Sequence, residues 1–239
     1  MDYLPVIKER QAQLEKIGKT IVQQTEPSFV FSSNPSYTSL RLLLSDTRHE
    51  VANMSDIVHQ AFVNYYNQRN TFFAKWIEAE GMVHVHEAHL VRHKDVLKKL
   101  QQSTGGSAET FLEDSESFQH GFDVARLRVA LASIDDKLRE DRKGIRQWKQ
   151  KERDYTRKIS HYDTHLEVLI PYVSELKEIA KEVRVITEVH QKALESKELP
   201  LDCLENIRIS SERMVSSVHA CLDDFFVEAD KLVPKIPLD

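Results

Sequence analysis

From Ser39 to Ser103 the chain runs 65 residues without a proline and with a single glycine, Gly81. Apolar residues return through this stretch at alternating spacings of three and four: Leu44, Val51, Met54, Val58, Phe62, Tyr65, Phe72, Trp76, Ala79, Val83, Leu90, Leu97 and Leu100. That is the period of an α-helix keeping one face against a partner. At the ordinary helical rise, such a helix would be a rod of ~95 Å. No compact domain of 239 residues would enclose an element of that length. The sequence therefore predicts an all-α, elongated antiparallel coiled-coil bundle of three to four helices.

The rest of the chain fits around that rod. A short helix over 4–24 carries Val6, Leu14, Ile17 and Ile21 on one face. A connector over 25–38 follows, broken by Pro27 and Pro35, with Phe29, Val30 and Phe31 between them. After the long helix, a polar loop spans 104–121, with Gly105 and Gly106 placed to cap the incoming helix. A second long helix is expected over 122–196. Its inward row starts at Val124, Leu127, Leu131, Ile134 and Leu138 and continues to Leu176 and Val183. The heptad register passes straight through Pro171, which falls on the outward row, so a bent but continuous helix is predicted. A last helix over 201–232 puts Leu204, Ile207, Met214, Val218, Cys221 and Phe225 on one face, and a tail follows over 233–239. The whole reads as one domain.

Two long helices joined by one polar loop must run antiparallel. A hairpin of that length leaves apolar stripe without cover near its ends, and a second copy of the chain is the expected partner. Polar residues also interrupt the inward rows: Arg69, His86 and His93 on the first long helix, Asp141 and Glu152 on the second. Residues of this kind cost stability but fix register, or they snorkel at the edge of the seam.

The sharpest charge feature lies on the second long helix. Arg139, Arg142, Lys143, Arg146, Lys149, Arg153 and Arg157 recur at spacings that keep them within about 100° of arc beside the seam. From Lys137 to Lys158 ten Lys/Arg face four Asp/Glu, in a chain whose net charge is −5. A strip of this sort suits anionic lipid headgroups. Pairing with acids on a neighbouring helix is the plainer alternative. Nucleic acid fits less well, because no recognised binding motif accompanies the strip.

His86, His89 and His93 share a helix face that a metal could exploit, but the paired Glu-x-x-His motifs of di-iron bundles are absent. Polar histidines at the seam or surface are the expectation, with no metal and no cofactor. No phosphate-cradling glycine loop and no nucleophile beside a base is present, so the chain does not read as an enzyme. Cys203 and Cys221, eighteen positions apart in one helix, cannot reach each other. The opening MDYLPVIKER lacks the pattern of a signal peptide, and no apolar run approaches a membrane span. A cytoplasmic chain, peripheral to membranes, is the expectation.

Short helix, two long helices and a shorter last helix is an order that resembles the F-BAR modules of the BAR superfamily. Locally, YNQRNTFFAKWIEAE at 66–80 resembles the basic-aromatic stretch of sorting-nexin BAR helices. WKQKERDYTRKIS at 148–160 resembles another of their patterns, through Trp148, Glu152, Arg153, Asp154, Tyr155, Ile159 and Ser160. The resemblance implies a homodimer whose basic concave face binds curved anionic membranes, with Arg139 to Arg157 as the lipid-binding strip. The acidic loop from Ser107 to Ser117 departs from that pattern, which expects basic tips.

The function expected from these features is a non-enzymatic dimeric scaffold binding anionic membranes, curved ones included. The alternative is a cytoskeletal or tethering coiled coil that binds protein partners and no lipid.

Overall fold

Pro5, in the first turn, opens a helix where its missing N–H has no partner to lose. This helix, α1, spans Leu4–Thr25 and ends as the Thr25 hydroxyl turns back to the Ile21 carbonyl at 2.8 Å. Glu26 then leaves in extended conformation. The computed structural model describes residues 3–26, 37–103, 118–195 and 201–231. The other helices are α2 (Tyr37–Ser103), α3 (Phe118–Ala193) and α4 (Leu201–Lys231). Among the described residues there are four helices and no strand. The connector aromatics Phe29 and Phe31 with Val30, the glycines Gly105 and Gly106, the acidic loop Ser107 to Ser117, Leu232 and the tail 233–239 lie outside the described residues, as does the side chain of Val124.

Contacts divide the chain into two compact units. The first joins residues 1–68 to 161–239 and thus contains α1, α4 and one portion each of α2 and α3. Its core is dense. Ile7, Leu14, Val51, Met54, Val58, Leu169, Leu176, Val218, Leu222 and Phe225 form one buried cluster, with Tyr172 edge-on to Phe225. Ile17, Ile21, Leu40, Leu44, Leu194, Leu204 and Ile207 form another. The apolar face of α1 runs through Ile7 rather than Val6, which is 41% exposed. A one-residue step turns a side chain by about 100°, enough to move it from core to rim. Arg10 grips Glu50 through both carboxylate oxygens, at 3.0 and 2.8 Å. Gly18 lets α1 approach α4 closely, since a Cβ there would sit 2.7 Å from a Val215 methyl.

Pro171 lies inside α3 on an exposed position, and the helix passes through it. The interruption removes one backbone hydrogen bond on the solvent side, while Leu169, Leu176 and Val183 keep the inward row buried.

Among the described residues, the second unit, 69–160, is a hairpin of α2 and α3. Phe72 meets Tyr155, Glu87 meets Lys149 and His93 meets Asp141, so numbers rising along α2 pair with numbers falling along α3. The two helices are therefore antiparallel here. With only one seam to share, they bury little: among the described residues Ala79, Val83, Ile134 and Leu138 are the buried apolar side chains of this unit. Phe73, Ile77, Val85, Val91, Val96 and Val129 are all exposed.

Candidate functional site

Midway along the hairpin, the polar residues of the inward rows converge. Asp141 of α3 is only 5% exposed, and three histidines of α2 surround it. His86 Nδ1 lies 3.2 Å from Asp141 Oδ1, His89 Nδ1 lies 3.8 Å from the same oxygen, and His93 Nδ1 lies 2.8 Å from Oδ2. Spacings of three and four place the histidines along one side of α2, and the antiparallel register brings Asp141 opposite them. Burial alone would raise the Asp141 pKa. The hydrogen bonds from His86 and His93, with the charges of His93 and His89, outweigh it and hold the carboxyl below its usual range. Gly144, one turn beyond Asp141, makes the room: a Cβ there would lie 2.6 Å from His86 Nε2.

The lysines and arginines of the strip lie elsewhere on α3. All seven (Arg139, Arg142, Lys143, Arg146, Lys149, Arg153 and Arg157) are exposed. Three are paired within the chain: Arg139 with Asp136 at 3.6 Å, Lys149 with Glu87 at 3.0 Å, and Arg157 with Asp154 at 3.9 Å. Arg142, Lys143, Arg146 and Arg153 carry no ion pair among the described residues. Aromatic rings extend the basic surface. Lys151 lies over Trp148 at 3.7 Å, and Lys75 and Lys158 lie over Phe72 at 5.3 and 4.9 Å. These contacts hold the ammonium groups against ring faces.

In the first unit, Tyr65 stacks on His165 with ring centroids 4.9 Å apart and tilts against Tyr162 at 5.9 Å. Tyr3 meets Tyr65 edge-on. His165 is buried, and its Nδ1 bonds the His161 carbonyl at 2.7 Å. Such an arrangement packs and orients rings. Cys221, the buried thiol of this unit, is pushed up to about 12 by burial and by the nearby Glu175 carboxylate, so it is not a thiolate at neutral pH.

No family model matches the chain, and no curated protein matches it. One solved structure is similar in fold: a soluble triple head mutant of AhlC, from the tripartite alpha-pore forming toxin AHL of Aeromonas hydrophila. The TM-score is 0.55 and the identity 10%, over 92% of this chain and 81% of that one. An all-α helical bundle is what the two share.

This likeness corrects the functional expectation. The similar structure is a component of a pore-forming toxin, not a membrane-curvature scaffold, and nothing in it supports the BAR resemblance. The physical reason is plain. Long helices with three-four apolar spacing satisfy many helical bundles equally, and the short matches at 66–80 and 148–160 are sequences that helix-pair composition readily produces. The likeness bears on the fold and not on the strip of Arg139 to Arg157, which is an exposed basic surface of α3. Among the described residues, no helix is long and apolar enough to cross a membrane.

Sequence reasoning places His86, His93 and Asp141 on inward rows but does not join them. The missing information is the register between α2 and α3. Gly144, a lone glycine within the basic stretch, is the local signal that a bulky side chain approaches there.

Proposed function

We propose that the protein is a non-enzymatic helical subunit that works by self-association, the hairpin 69–160 of one copy packing on the acidic unit of another. The single observation that carries this reading is the set of large apolar side chains left exposed on the hairpin. Phe73, Ile77 and Val91 fall within about 40° of one another around α2, at 40%, 51% and 58% exposure, and Val129 on α3 is 70% exposed. Two helices in water gain too little from one seam to leave such residues uncovered without cost.

Charge complementarity supports a second copy as the partner. Residues 69–160 hold 18 Lys/Arg against 15 Asp/Glu, and the remainder of the chain holds 15 against 23. In the first unit, acidic side chains gather around Tyr172. Its hydroxyl pKa is raised by burial and then by Asp224, Glu228 and Glu175. A second copy thus offers a carboxylate surface to the arginines that carry no ion pair among the described residues, and a two-fold arrangement satisfies both copies at once. The similar solved structure is itself described as part of a tripartite assembly, and the self-association reading applies that habit of assembly to this chain.

Co-purification of two differently tagged copies tests the proposal. Capture through one tag should recover the copy that carries the other. Val91→Lys with Val129→Lys should abolish that recovery while circular dichroism stays helical. Recovery that survives both substitutions would rule out the hairpin face.

A further inference from the structure

We propose that His86, His89 and Asp141 form a binding site for one divalent transition-metal ion of the zinc class, with His93 as the positioning residue that holds the carboxylate. This inference is independent of self-association. The geometry carries it. One ligand atom from each of His86, His89 and Asp141 lies within 4.8 Å of the other two. The Nδ1 atoms of His86 and His89 sit 3.2 and 3.8 Å from Asp141 Oδ1. Tetrahedral bonds of ~2.0–2.1 Å separate neighbouring ligand atoms by about 3.3 Å, between those two distances. The His89 ring, at 48% exposure, is the member with the freedom to rotate and close the set.

The surroundings are those of a built site. Asp141 is 5% exposed on an inward row, so its charge is withdrawn from water, and a cation would neutralise it. His93 Nδ1 bonds the second carboxylate oxygen at 2.8 Å, leaving Oδ1 directed at His86 and His89. Metal-bound carboxylates are commonly held by such outer hydrogen bonds. Gly144 clears the space for the His86 ring, whose Nε2 faces α3 while Nδ1 faces the carboxylate. The donor set is two imidazoles and one carboxylate. It favours zinc and its first-row neighbours over calcium or magnesium, which prefer oxygen alone. Three protein ligands leave a fourth position for water or for a group from a partner chain.

The test is calorimetric titration of the full chain with Zn²⁺ after chelator treatment, repeated with Co²⁺ and read by its visible absorption. One ion per chain is expected, with tetrahedral Co²⁺ colour. His89→Gln, at a half-exposed position, should weaken binding at least ~10-fold with the helical spectrum unchanged, and His93→Gln should weaken it about 10- to 100-fold. His84→Gln, on an exposed neighbour, should leave affinity unchanged. The absence of stoichiometric binding, affinity that ignores both His89→Gln and Asp141→Asn, or equal loss on His84→Gln would each overturn the assignment.

Discussion

His93 and Asp141 meet across the hairpin at 2.8 Å, the shortest of the three histidine contacts to a carboxylate that is 5% exposed. A charge so withdrawn from water is tolerated only because its hydrogen bonds are made. Asp141→Ala removes the carboxylate and strands the imidazoles of His86 and His93 in a part-buried seam. The expected loss is about 1–3 kcal/mol in urea denaturation. A variant as stable as the parent would show that the cluster contributes nothing to the fold.

Three glycines in helices make opposite predictions. An added methyl at Gly81 would have nothing within 4 Å, so Gly81→Ala should stabilise by about 0.5–1 kcal/mol through helix propensity. Gly18→Ala meets a Val215 methyl at 2.7 Å and Gly144→Ala meets the His86 ring at 2.6 Å. Both should destabilise, by about 1–3 kcal/mol, as overpacked contacts do. Thermal melts of the three variants check the signs. A stabilising Gly18→Ala would mean that α1 and α4 do not approach as described.

Core and rim on the first unit should separate by magnitude. Phe225 is fully buried against Tyr172 and Phe226, and Phe225→Ala should cost about 3–5 kcal/mol. Val6→Ala, at a 41% exposed position, should change stability by under about 0.5 kcal/mol. Comparable effects at the two sites, read from urea midpoints, would contradict the placement of the α1 face.

Two histidines of the first unit give the pH dependence a sign. Burial lowers the His190 pKa, and burial with the adjacent His165 lowers that of His161, both from 6.5. A lowered folded pKa means the unfolded chain takes up protons first as pH falls. Stability from these sites is therefore full above about pH 7 and is lost as pH drops through 6.5 toward the lowered values. His190→Gln should flatten the fall in urea midpoint between about pH 7.5 and 5.5. An unaltered slope would remove His190 as a source of the pH dependence.

The helices themselves are open to sequence reading because three-four apolar spacing needs no tertiary information. Leu44, Val51, Met54 and Val58 on α2, and Ile134, Leu138, Leu169 and Leu176 on α3, are buried as that spacing requires. Val6 misleads because a short helix with few apolar residues defines its face to no better than one position. The histidine-aspartate cluster stays hidden for a different reason. His86 and Asp141 are 55 residues apart, and only the register of two helices decides whether they meet. Function is the least legible, since basic strips and repeated apolar spacing are shared by helical proteins with unrelated tasks.

Whether a second copy covers the open hairpin face decides the proposed function. Sedimentation equilibrium of the full chain, at about 50 mM and 500 mM salt, measures this directly. The mass of a dimer is expected at low salt. Association should weaken at high salt and with Arg142→Glu plus Arg146→Glu, because exposed charges are screened or reversed. A chain of 27.7 kDa at every salt concentration and at high protein concentration would contradict self-association.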